Sequence, residues 1–123
     1  MKVQTARWVE QAEYDFETAE AMLQSRRYVY VVFMCHLSLG KLLKAMFTEV
    51  TDDYPPRIHS LEKLAEKARV VFPEEIKDLV HGLSELSIPT RYDEDVRDIR
   101  YAQARRTLAQ TRRAFKWLKK QLK

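Results

Sequence analysis

Residues Tyr28 to Phe47 read YVYVVFMCHLSLGKLLKAMF, and how this stretch folds decides the architecture of the 123-residue chain. It is apolar on nearly every side, and in a small soluble protein such a segment belongs in the middle of the core. Its first half, Tyr28-Val29-Tyr30-Val31-Val32-Phe33, has the β-branched and aromatic bias of a strand. No turn signal, however, separates it from the half rich in Leu, Lys and Ala that follows. One buried helix is the expectation. The polar residues inside it are His36, Ser38, Lys41 and Lys44. His36, Gly40 and Lys44 share a helical face by their spacing of four, and Lys41 lies beside that face near the helix end. At such an end a lysine ordinarily lets its ammonium head reach water along an apolar stem.

Upstream, Trp8 to about Ser25 is predicted as a first helix. Trp8, Ala12, Phe16, Ala19 and Leu23 recur at threes and fours, while Glu10, Glu13, Glu17 and Glu20 fall elsewhere. Ser25-Arg26-Arg27 is too short to be anything but a tight turn, so the first two helices are expected to lie antiparallel. Downstream, Asp52-Asp53-Tyr54-Pro55-Pro56 removes backbone donors and forces extended geometry, which marks a surface loop from Thr48 to Ser60. Ser60 is suited to cap a third helix with the stripe Leu61, Leu64, Ala65, Ala68 and Phe72. Pro73-Glu74-Glu75 then opens a fourth, with the stripe Ile76, Leu79, Val80, Leu83 and Leu86 and with His81 on its wet side. Ile88 to Asp93 reads as a second ordered loop. A last helix is expected from about Asp95 to Gln121, with the core stripe Tyr101, Ala104, Leu108, Thr111, Phe115, Leu118 and Leu122.

The predicted fold class is therefore all-α, an up-and-down four-helix bundle with a fifth helix, in one domain over residues 1–123. Two glycines, four prolines and 33% charged residues fit a compact helical chain. The lone Cys35 has no partner for a disulfide or a zinc site and is expected to be buried. The N-terminus lacks the apolar core of a signal peptide, and His36 and Lys41 interrupt the apolar run before it could span a bilayer. A cytoplasmic protein away from the membrane is expected. Charge is divided sharply. From Arg97 to Lys123 there are ten basic residues against Asp98 alone, whereas the first 96 residues hold twelve basic and seventeen acidic groups. Along the last helix Arg105, Arg112, Lys116, Lys119 and Lys123 form a basic stripe, which suits an anionic partner or an acidic protein surface.

No His or Cys pair has ligand spacing, so no metal is expected. No Gly-rich phosphate loop, nucleophile elbow or motif for reading a DNA groove is present, and no cofactor is implied. The acidic pairs at Glu74 and at Asp93 to Asp95 are better suited to helix starts than to acid and base catalysis. A dispersed set is more informative: Lys41 and Lys44 on the central helix, Arg57 and His59 in the first loop, Arg91 and Tyr92 in the second.

A helix with Trp8 followed by Ala and Asp, a second ending in Lys-Leu-Leu-Lys-Ala, and a proline loop leading to His59-Ser60-Leu61 and Leu64 come in this order. Arg91-Tyr92 follows, before a long terminal helix. Together the pattern resembles the HEPN family over nearly the whole chain. The resemblance implies a bundle of four or five helices, usually a homodimer. In prokaryotes such a small protein is often encoded beside a minimal nucleotidyltransferase. Family members are associated with nucleotide or RNA binding, and many are ribonuclease toxins of toxin-antitoxin pairs. The ribonuclease members carry an Arg followed after four to six residues by a His. Here the corresponding positions hold Val29, Tyr30 and Val31 before His36, Asp52, Asp53 and Tyr54 before His59, and Glu74, Glu75 and Ile76 before His81.

The expectation is thus a non-catalytic HEPN-like homodimer that binds a nucleotide or RNA phosphate through Lys41, Lys44, Arg57, His59, Arg91 and Tyr92, as substrate-binding partner of a minimal nucleotidyltransferase. In this reading Lys44, Arg57 and Arg91 hold phosphate oxygens and Tyr92 stacks on a base. The alternatives are a ribonuclease using Arg57 and His59, and a pure protein-interaction module that docks through the basic stripe. Pairing is also suggested by Tyr30, Met34 and Trp117, large apolar residues that lie away from the inward stripes.

Overall fold

The computed structural model describes residues 1–92 and 99–122, with side chains described at all of these except 88–92. Five helices follow one another: α1 (Val3–Gln24), α2 (Tyr28–Val50), α3 (Leu61–Lys67), α4 (Glu74–Tyr92) and α5 (Tyr101–Gln121). No strand occurs among the described residues. The strand-like composition of Tyr28 to Phe33 is overridden by burial, because α2 packs against each of the other four helices. Val31, Val32, Cys35, Leu39, Leu42 and Leu43 are almost wholly enclosed. Each such leucine contributes about 2 kcal/mol of transfer free energy, so α2 anchors the core. It is also long and apolar enough to cross a bilayer by length and composition, but most of that apolar surface faces the other helices.

Side-chain pairs fix the directions of the helices. Lys2, just before α1, donates to the Thr48 and Thr51 carbonyls at the end of α2, at 3.2 and 2.8 Å, which makes the first hairpin antiparallel. The same ammonium meets the Asp52 carboxylate at 3.0 Å. A cation at these orphan carbonyls also complements the negative end of the α2 dipole. Lys119 pairs with Glu13 and Arg112 with Glu20, so α5 runs antiparallel to α1. Tyr28 meets Tyr101 at the two helix starts, and α5 is therefore parallel to α2. Phe72 packs on Trp117 and Glu75 pairs with Arg113, which sets α4 antiparallel to α5. This is the expected up-and-down bundle, with short α3 inserted between α2 and α4.

The turns follow from local chemistry. After α1 the Arg26 and Arg27 amides donate back to the Leu23 and Met22 carbonyls, with Arg26 at φ 64°. After α3 the Arg69 and Val70 amides donate to Glu66 and Ala65 in the same pattern, with Arg69 at φ 61°. Both are Schellman closures in which arginine occupies the left-handed position that glycine fills most easily. The Ser60 hydroxyl caps α3 by accepting from the Lys63 amide at 3.2 Å.

Four details differ from the sequence reading. The expected loop at Ile88 is helical, since α4 continues through Pro89 to Tyr92. A proline costs the helix one donor but does not by itself end it. The last helix begins at Tyr101, with Ile99 and Arg100 outside it. On α1 the enclosed positions are Thr5, Val9, Ala12, Asp15 and Ala19, which places a carboxylate inward. Tyr101, assigned to the core stripe, is 51% exposed.

Candidate phosphate-binding surface

Of the six candidate residues, Lys41 and Lys44 sit one helical turn apart on α2, and each has an internal partner. The Lys41 ammonium lies 2.8 Å from Oδ2 of Asp15. Asp15 is 6% exposed, so the pair joins α1 to α2 as a nearly enclosed ion pair. Without Lys41 this oxygen would be a buried acceptor with no hydrogen-bond donor. The Lys44 ammonium stands 5.5 Å above the centre of the Trp8 ring. Partial burial, followed by the charge of Lys41, pulls its pKa below the ordinary lysine value.

Arg57 and His59 are exposed on the connection between α2 and α3. Arg91 and Tyr92 close the last turn of α4, and their side chains lie outside the described residues. The six therefore do not assemble around one described pocket. Beside Trp8 a cleft of about 320 Å³ is walled by Tyr54 and Pro55, but Asp52 and Asp53 line it as well, which disfavours a phosphate there.

The stronger cationic feature is α5, which carries seven Lys and Arg and no acidic residue. Its two edges are neutralised by neighbouring helices. On the α1 side, Arg112 reaches Glu20 at 2.8 Å and Lys119 reaches Glu13 at 2.5 Å. Arg112 also covers the Phe16 ring at 5.3 Å. On the α4 side Arg113 pairs with Glu75. Between these edges Arg105, Lys116 and Lys120 project into water, and Arg106 borders a cleft of about 410 Å³ between α4 and α5. None of these four makes an ion pair or hydrogen bond among the described residues. The expected stripe is therefore redrawn: Arg112 and Lys119 are committed to the fold, Lys123 lies outside the described residues, and the free ridge is Arg105, Arg106, Lys116 and Lys120. Arg105 to Lys120 spans about 22 Å of helix axis.

A second cluster was not anticipated from the sequence. The α1–α2 turn and the start of α5 bring Arg26, Arg27, Arg100 and Tyr101 to one end of the bundle, where Tyr101 meets Tyr28 at 5.9 Å. The Arg-Arg pair in a turn was a usable signal. Its nearness to Arg100, more than seventy positions away, was not. The thiolate chemistry that a cysteine could add is absent from both surfaces, because Cys35 is buried and its pKa is pushed up to about 12 by desolvation. Among the described residues no group of His, Cys, Asp and Glu is arranged to hold a metal ion.

Comparison with known proteins places this geometry. The profile of the HEPN domain matches residues 5–121. The fold is similar to the crystal structure of ST0689, an archaeal HEPN homologue, with a TM-score of 0.78 and 22% identity over 100% of both chains. It is also similar to TT1696 from Thermus thermophilus, with a TM-score of 0.82 and 20% identity over 97% of this chain and 98% of the other. No curated protein matches the chain.

Proposed function

Since the chain belongs to the HEPN family, we propose that it is a non-catalytic member that binds the phosphates of a nucleotide or RNA and presents them to a minimal nucleotidyltransferase partner. The observation that carries this reading is the division of charge on α5. Carboxylates of α1 and α4 neutralise its edges, while Arg105, Arg106, Lys116 and Lys120 remain available along the middle. A row of cations with no carboxylate paired to it among the described residues attracts a polyanion and releases counterions when the polyanion binds. Lys44 on α2, over the Trp8 ring, is a separate cation in which partial desolvation strengthens the attraction for an anion that can reach it.

The lack of an Arg-x4-6-His motif supports the non-catalytic part. Pairing of two copies is supported by the open side of α2, where Tyr30 is 57% exposed and Phe33, Met34 and Leu37 are half-buried. The test is titration of a labelled single-stranded RNA by fluorescence anisotropy at about 50 and 200 mM salt. Binding should weaken steeply as salt rises. In the Arg105→Ala/Lys116→Ala/Lys120→Ala variant the slope of log affinity against log salt should fall by about 2. No binding at the lower salt would overturn the reading, and loss of RNA during the titration would restore the ribonuclease alternative with His59 as first suspect.

A further inference from the structure

At the end of the bundle where α1 turns into α2 and α5 begins, a cavity of about 430 Å³ is lined by Leu23, Gln24, Arg26, Tyr28 and Tyr101. It lies beyond the ridge and includes none of the six residues singled out in the sequence. One wall is aromatic: the Tyr28 and Tyr101 rings meet edge to face at an interplanar angle of 69°, and Tyr101 remains 51% exposed. That ring is braced by its neighbour yet open to a planar ligand. Leu23 supplies an apolar surface, and the Gln24 amide offers both a donor and an acceptor.

The opposite character comes from arginine. Arg26 lines the cavity from a left-handed backbone position. Arg27 and Arg100 do not line the cavity, but each is exposed and next in sequence to a lining residue. None of the three side chains makes an ion pair or hydrogen bond among the described residues. Guanidinium groups with no carboxylate paired to them among the described residues present forked donors that match phosphate oxygens. The cavity is of the size that holds one small ligand and not a longer stretch of chain.

We propose that this corner is a nucleotide site, which takes either a free nucleoside monophosphate or the 5′-phosphorylated end of an RNA strand. The base lies against Tyr101 and Leu23, the Gln24 amide reads a base edge, and Arg26 and Arg100 hold the phosphate. The proposal rests on the phosphate-binding reading above and gives it a terminus, because Arg105 stands one helical turn beyond Tyr101 and leads onto the ridge.

Calorimetric titration of the full chain with adenosine monophosphate, inorganic phosphate, and a short single-stranded RNA carrying either a 5′-phosphate or a 5′-hydroxyl tests it. The wild type should favour the 5′-phosphorylated strand by about tenfold, as expected for charge-assisted contacts to one added phosphate. If the natural ligand is the free nucleotide, the monophosphate should bind well above inorganic phosphate instead. Arg26→Gly with Arg100→Gln should abolish either preference, although glycine relieves the turn and the melting temperature should not fall. A merely structural role for Arg26 would leave affinity unchanged. Tyr101→Ala should weaken the nucleotide but not inorganic phosphate, and equal weakening of both would overturn the base contact. Lys116→Ala/Lys120→Ala should weaken both RNAs alike and keep the preference. Wild-type behaviour of the Arg26/Arg100 variant, with weakened RNA binding in the Lys116/Lys120 variant, would overturn the corner site alone. No RNA binding by any form would overturn the reading beneath it.

Discussion

Lys41 on α2 and Lys116 on α5 carry the same ammonium group, but the first is held 2.8 Å from an enclosed carboxylate while the second stands in water without an ion pair among the described residues. The difference follows from burial. A charge on a helix surrounded by four others must have a partner, because desolvation costs several kcal/mol per ion and only a close opposite charge offsets it. A charge on the outer face of a terminal helix keeps its hydration and needs none. Cations read from the sequence are therefore two populations, one that joins helices and one that is available to a ligand. The exposed edges of α5 show an intermediate case, in which Glu13, Glu20 and Glu75 reach across to Lys119, Arg112 and Arg113.

The contrast can be broken or sharpened by substitution. The largest effect is expected where α2 is fully enclosed. Leu42→Ala should lower the unfolding free energy by about 3 kcal/mol in a urea titration, while Lys116→Ala should change it by less than about 0.5. A small effect at Leu42 would mean that α2 is not the centre of the core.

Next in size is the ion pair itself. Asp15→Asn leaves the Lys41 ammonium without its carboxylate and should cost about 2 kcal/mol. This is less than for a fully buried pair, because the Lys41 side chain is 28% exposed and still reaches some water. Adding Lys41→Gln should recover more than half of that loss. Strict additivity of the two substitutions would show that the pair is not coupled.

The thiol inside α2 gives a pH dependence of its own. Burial raises the Cys35 pKa from 9.0 to about 12, so the folded protein retains a proton that the unfolded chain loses. That stability is fully present below pH 9 and declines, at about 1.4 kcal/mol per pH unit at most, as pH rises from 9 towards 12. Cys35→Ala should flatten this part of the pH profile. An unchanged slope in the variant would assign the decline to other groups.

The smallest expected effect concerns the two arginines in left-handed turns. Arg69→Gly should raise stability by about 0.7 kcal/mol by relieving the backbone at φ 61°. Arg26→Gly should do the same after α1. Equal gains would show that the two turns are energetically alike, so that any difference in ligand binding between the variants arises from where the side chains point. A loss of stability at either position would mean that the arginine side chain contributes to the fold.

Much of the fold was legible in advance because helix periodicity and turn chemistry are local. The apolar run of α2, the Pro55-Pro56 break, the Ser60 cap and the Glu74-Glu75 helix start are each specified within a few residues. Local signals misled where two were in competition. Pro89 looked like a boundary, although its cost was one helix hydrogen bond. Asp15 was assigned to neither face of the first helix, but its position on α1 turns it towards Lys41. Tyr101 matched the spacing of a core stripe, yet it is at the first position of α5, where enclosure by α2 is incomplete.

By itself, then, the sequence determined that the chain is helical, where its main breaks fall, that α2 is its centre, and that positive charge concentrates in its last quarter. These are properties of composition and of periodicity over one or two turns. Only the tertiary structure decided which cations are available. Lys41 meets Asp15 across 26 positions, Arg112 meets Glu20 across 92 and Lys119 meets Glu13 across 106. The same holds for the corner where Arg26 and Tyr28 approach Tyr101. Neutralisation depends on distances of a few ångströms between helices, and helical spacing fixes which residues share a face without fixing what that face meets.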